Sequence, residues 1–244
     1  MLVPASDLAE MIGADCVWAA GLMQRRRETY ASYAPVFWRP ADDATPLHMR
    51  FLQRQIARDD VVGLRTGHGF VIGQRHGDDG LVDDFAVDAD ERWLDDGRRL
   101  LNSAWRSLRE KGAGSLRVVS AERDLGKNAL LDSVGLSLAE QWWVKTVTPT
   151  DHFERGGAVD GDGFSAHLGP APPVYDPGGP VLLLRRIDPE VPLAALEHRA
   201  AAWGAVLTIV PEPAGDPRAE ELRASGYAVA SQWFLGVPHG ADER

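Results

Sequence analysis

Residues 82–101 read VDDFAVDADERWLDDGRRLL. Val82, Phe85, Ala86 and Val87 make a short apolar strand that runs into a polar turn. Beyond the turn, Leu100, Leu101, Ala104, Trp105 and Leu108 recur at three- and four-residue spacing, the period of a helix with one buried face. A strand feeding a helix start can hold an anion, because the first helical N–H groups have no partner within the helix. Arg92, Arg98 and Arg99 surround the turn, so a phosphate-bearing ligand is expected there. Asp95 and Asp96 also have a purely structural explanation: carboxylates in a first turn complement the helix dipole.

Reading outward, residues 5–33 place Leu8, Met11, Ile12, Val17, Trp18, Leu22 and Met23 at helical spacing. PVFWR (35–39) reads as a strand, and 46–58 as an amphipathic helix with Leu47, Phe51, Leu52 and Ile56 on one face. Residues 61–67 and 68–77 are two short strands joined through Gly67-His68-Gly69. After strand 81–87 and helix 97–111 come strand 115–120, helix 125–134 and strand 138–147. An antiparallel meander that passes into strand–helix crossovers predicts an α/β (α+β) mixed sheet with helices on its faces.

The strand–turn–helix stretch resembles the acyl-CoA-binding segment of the GNAT superfamily of N-acetyltransferases. There a DDhaV strand precedes R/Q-x-x-G-x-G/A and a helix. Arg92 matches the first position and Gly97 the last, while Asp95 stands at the middle glycine. The element order agrees over roughly residues 33–148. The resemblance implies a GNAT-like acyl-CoA N-acyltransferase fold, acetyl-CoA as co-substrate, no metal, and a small-molecule amine as acceptor. It implies that Phe85, Ala86 and Val87 offer backbone hydrogen bonds to the pantetheine arm. Arg92, Gly97, Arg98 and Arg99 would hold the pyrophosphate, with Asn128 nearby. The family's thiolate-protonating tyrosine would fall at Leu131 and its asparagine at Asp124.

Asp84 and Asp83 are the catalytic candidates, able to bind a substrate ammonium or relay its proton; a structural aspartate bonded to neighbouring backbone is the alternative. Phe37, Trp38 and Trp142 are candidates for an acceptor pocket, with core packing as the alternative. The competing class of function is a non-catalytic GNAT-like module for ligand sensing or protein association, which Asp95 and Leu131 favour.

The chain's 244 residues suffice for one large or two small domains. A net charge of −10 argues against nucleic acid as partner and mildly favours a cationic substrate. No apolar run approaches a membrane span, the N-terminus lacks the order of a signal peptide, and Cys16 is the single cysteine. These features point to the cytoplasm, with no membrane partner. A homodimer is compatible with the sequence. The seven histidines show no metal-binding spacing.

Residues 149–180 are dense in Gly, Pro and Asp and read as a linker. Beyond them the chain repeats. At an offset of 91, Leu116 meets Leu207, Val119 meets Val210, and Leu131 meets Leu222. Gly135 meets Gly226, Ala139 meets Ala230, Gln141 meets Gln232, and Trp142-Trp143 meets Trp233-Phe234. The expected organisation is a GNAT-like domain at 1–148, the linker at 149–180, and a degenerate half-domain at 181–238 without opening strands. The second copy is a partial GNAT-like repeat lacking the anion-binding turn.

Overall fold

The computed structural model describes residues 8–150 and 156–238. Residues 5–7 of the expected first helix, His152 and His239 lie outside the described residues. Two compact units divide the chain: unit 1 holds Met1–Arg26, Thr45–Leu138 and Trp233–Arg244, and unit 2 holds Arg27–Ala44 and Ala139–Gln232.

Unit 1 opens with strand β1 (Ala9–Glu10), then helix α1 (Asp15–Ala31), whose last turns belong to unit 2. The helix starts later than its apolar spacing predicts. The Asp15 carboxylate accepts from the Ile12 N–H at 2.9 Å, which ends the preceding turn there. Helix α2 (Ala44–Gln55) and strands β2 (Val61–Arg65), β3 (Gly69–His76) and β4 (Asp79–Val87) follow. A 3-10 turn (Asp90–Arg92) and a π-helical turn (Trp93–Gly97) lead into helix α3 (Arg98–Glu110). Strand β5 (Ser115–Ala121) and helix α4 (Leu125–Ser133) come next.

The unit's strands lie in the order β1-β2-β3-β4-β5. β2, β3 and β4 are antiparallel, and β5 runs parallel to β4. One face packs on α3 and α4 through Val82, Phe85, Val87, Leu100, Leu101, Trp105 and Leu130. The other packs on α1 and α2 through Leu22, Leu52, Phe70 and Ala86. Two covered faces explain the mixed sheet.

Unit 2 contains strands β6 (Ser137–Thr146), β7 (Gly157–Gly161), β8 (Phe164–Gly169) and β9 (Val181–Ile187). Helix α5 (Leu193–Ala202), strand β10 (Leu207–Pro213) and helix α6 (Arg218–Ala224) complete it, and strand β11 (Ala228–Gly236) belongs to unit 2 as far as Gln232 and to unit 1 from Trp233. Its order is β7-β8-β9-β10-β6, with β9 and β10 parallel. The segment expected to be a linker therefore carries β7 and β8. The second copy has opening strands, paired antiparallel to each other and to β9 as β2, β3 and β4 are. Gly and Pro density signalled turns correctly. It hid strands whose few apolar residues, such as Phe164, Ala166 and Leu168, are those that enter the core.

The boundary expected at 148 is also displaced. β6 leaves α4 and contributes Trp143 to the core of unit 2, whereas Phe234 near the end of β11 lies in the core of unit 1. Residues 35–39 form turns instead of a strand. Their aromatic side chains pack against a sheet face of unit 2 without joining a ladder. No helix among the described residues is long and apolar enough to cross a membrane.

Candidate functional site

β4 and β5 form a fork. Their parallel ladder runs from Asp79↔Ser115 to Val82↔Val118 and stops, although β4 continues to Val87 and β5 to Ala121. A bulge helps to open it. β4 sets Asp83 and Asp84 against Ile72 alone, between the pairs Gly73↔Val82 and Val71↔Phe85. The extra residue puts Val82, Phe85 and Val87 together in the core beneath α3 and α4. Past the last ladder pair, the β4 carbonyls need donors from elsewhere.

Side chains of the chain itself supply them. Lys127 Nζ donates to Phe85 O at 3.3 Å, and Arg26 Nη2 donates to Val87 O at 3.1 Å. Arg26 also pairs with Asp90 at 2.8 Å and lies 3.9 Å from Asp124 Oδ2. Trp93 is wholly buried and stands edge-on to Phe85, with ring centroids 4.9 Å apart. The Arg26 guanidinium sits 5.1 Å from the centre of the Trp93 ring, and Lys127 Nζ lies 5.3 Å from that of Phe85. The wedge fits because α4 and the turn offer glycines. A Cβ at Gly126 would lie 2.5 Å from Trp93 Cδ1, and one at Gly97 would lie 2.9 Å from Trp93 Cε3.

Lys127 is only 3% exposed. Burial pushes its ammonium down to about 8, while Asp124 and Asp83 act in the opposite sense. Asp124 has a second task as the N-cap of α4, accepting from the Lys127 N–H at 3.2 Å.

The expected anion site is organised differently. The 3-10 and π turns wind directly into α3, so the Arg98 N–H already bonds to Asp95 O and Trp93 O. The helix start thus has fewer open donors than a strand–loop–helix junction would leave. Asp96 is buried, with Arg92 Nη1 at 3.8 Å and Arg99 Nη1 at 4.0 Å. Arg98 donates to Ser133 Oγ at 3.0 Å and to Leu94 O at 3.4 Å. The three arginines expected to face a pyrophosphate are engaged within the turn and its neighbours. Gly97 is helical and packs on Trp93 and Leu130. Asn128 donates to Ala121 O and Glu122 O and so secures the end of β5.

The catalytic candidates separate. Asp84 faces α2, where its Oδ1 lies 2.9 Å from Nε2 of the buried His48. Asp83 stays exposed, and its charge reaches Lys127. Phe37, Trp38 and Trp142 do come together, but in unit 2. Phe37 packs edge-on against both tryptophans, and Trp38 Nε1 donates to Ala230 O at 3.1 Å. Phe37 and Trp142 cover Val144, Leu207 and Ile209, which is the core-packing alternative. Sequence reading missed His48, Arg26 and Lys127. A lone histidine, one arginine of a basic run and a helical lysine carry no pattern that marks them.

The Phe85 and Val87 carbonyls accept from Lys127 and Arg26, and the buried Trp93 ring packs against Phe85.

No protein-family model matches the sequence, and no curated protein is detectably similar. Solved structures are similar in fold. A presumed acetyltransferase of Thermoplasma acidophilum superposes with a TM-score of 0.62 at 12% identity, over 95% of this chain and 99% of its own. A GCN5-related N-acetyltransferase of Sphaerobacter thermophilus gives 0.61 at 12% identity, over 98% of each chain. A tandem GNAT protein from the clavulanic acid biosynthesis pathway gives 0.55 at 13% identity, over 94% and 97%.

Proposed function

We propose that this chain, which has the fold of the GNAT acetyltransferases with a second GNAT-like repeat, is a non-catalytic module of that fold. It serves ligand sensing or protein association without using acyl-CoA. One observation carries this reading: Lys127 and Arg26 cap the Phe85 and Val87 carbonyls that the resemblance would give to an acyl-CoA arm, and Trp93 packs on Phe85 beside them. The engaged arginines and the leucine at position 131, which is wholly buried core, agree with it. Leu94 in the π-helical turn and Leu125 at the start of α4 are both exposed apolar residues.

A second reading is favoured by the His48–Asp84 pair, held beside the β4 bulge, and by the acetyltransferase neighbours. It makes the chain an acetyl-CoA-dependent N-acetyltransferase acting on a small amine, with Asp84 oriented by His48 to receive the ammonium proton. It requires Trp93 and Lys127 to leave the fork, which means taking a buried ring out of close packing.

Isothermal titration of the full chain with acetyl-CoA and with CoA at fixed ionic strength separates the two. The first reading expects no saturable heat up to millimolar ligand. Saturable binding, followed by acetylation of any amine in a panel, would establish the second.

A further inference from the structure

The fork of unit 2 is closed in the same way. β9 and β10 pair in parallel from Val181↔Leu207 to Leu183↔Ile209, and β9 then continues to Ile187 paired with β8 but not with β10. A register shift at Ser165/Ala166 sets one extra β9 residue, Arg185, in the β8–β9 ladder, as the β4 bulge does in the first copy. Arg218, the first residue of α6, donates from Nη2 to Ile187 O at 2.9 Å. Its Nη1 lies 3.4 Å from Glu212 Oε1 on β10.

The offset of 91 that aligns Gly135 with Gly226 also aligns Lys127 with Arg218. Both glycines close their helices with positive φ, 83° and 85°. Leu131 and Leu222, four residues before them, are both fully buried. The two cations therefore stand at one structural position of the repeat, and each reaches a carbonyl of its own first parallel strand beyond the last ladder pair.

We propose that Lys127 and Arg218 are equivalent internal closures, each holding shut the fork between the parallel strands of its own unit. In unit 1 this rests on the reading above, and unit 2 extends it to the whole chain. The chemistry is the same in both. A strand carbonyl past the end of a ladder needs a donor, and a charged donor gives the stronger bond. Each cation is balanced by a carboxylate of its own unit, Asp124 before α4 and Glu212 on β10. The residue type and the source of the carboxylate differ, while the kind of target does not: Phe85 O lies three residues past the ladder end at Val82, and Ile187 O four past Leu183.

Hydrogen exchange followed by mass spectrometry on the full chain tests this. Lys127→Ala should speed exchange about tenfold or more in peptides spanning 82–97 and leave 181–192 unchanged. Arg218→Ala should do the converse. If either alanine variant fails to fold, Lys127→Met and Arg218→Met keep the apolar stem, lose the donor, and should give the same local pattern. Unchanged exchange at the fork in a folded variant, or an equal response in both units, overturns the proposal. Acetyl-CoA binding by the unmodified chain together with fork-specific exchange would overturn the non-catalytic reading and leave the closures standing.

Discussion

Lys127 shows what a single buried charge does here. Desolvation lowers its ammonium from 10.5 to about 8; Asp124, Asp83 and Asp84 oppose that shift and Arg26 adds to it. The folded chain thus holds this proton more weakly than the unfolded chain, which keeps the ordinary value. Folding stability from this group must rise as pH increases from about 8 towards 10.5. A fully buried group with this shift contributes about 2 kcal/mol between pH 8 and 10. Urea unfolding at both pH values should show that gain in the parent and lose it in Lys127→Met. Tyr227, whose hydroxyl is pushed up by burial, acts in the opposite sense as pH approaches and passes 10, where the unfolded chain ionises first. Equal pH slopes in parent and variant would mean that Lys127 is not buried as a cation. Nothing in the local sequence announces this behaviour, since a lysine in the first turn of a helix is ordinarily a solvated one.

At the scale of elements, the strand, turn and helix of residues 82–101 were legible because their periods differ. A short apolar run ended at a polar turn, and three- and four-residue spacing began after it. The bulge at Asp83-Asp84 was not legible, because it depends on pairing with β3. The turn itself changed character. Trp93 turned inward against Phe85 and drew Asp90–Gly97 into continuous helical winding, which removed donors that a loop would have left open. This packing makes a specific prediction. Alanine normally favours a helix over glycine by about 1 kcal/mol. At Gly126 the added Cβ would instead strike Trp93 at 2.5 Å. Gly126→Ala should therefore destabilise by about 1–3 kcal/mol. In a Trp93→Ala background, itself about 3–5 kcal/mol less stable, the same change should become neutral or favourable. A double-mutant cycle with no coupling would show that the ring is not wedged against α4.

For the whole molecule, the repeat was readable and its boundaries were not. Apolar positions at an offset of 91 predicted matching strand–helix–strand segments, and β5, α4 and β6 do match β10, α6 and β11 in type. The assignment of those final strands could not be read, because Trp143 and Phe234 are chemically alike and either could fill either core. In the structure Trp143 joins the core of unit 2 and Phe234 that of unit 1. Residues 1–148 produced alone should consequently lack a cooperative unfolding transition. In the full chain, Phe234→Ala should cost about 3–5 kcal/mol, read as lost protection in unit 1 peptides. A cooperative transition from the isolated fragment would restore the simple two-domain division.

Periodicity and spacing in this sequence determined the element order from residue 61 to 147, the mixed sheet and the duplication, since each follows from which residues along one strand or helix must avoid water. What fills the fork was decided only by tertiary structure. Whether Trp93 points inward, whether Lys127 reaches Phe85 O, and whether Arg26 arrives from α1 depend on volumes and carbonyls that exist only once distant segments pack. A lysine on a strand carbonyl and a ring against a strand are set by geometry, and geometry of that kind has no period in the chain.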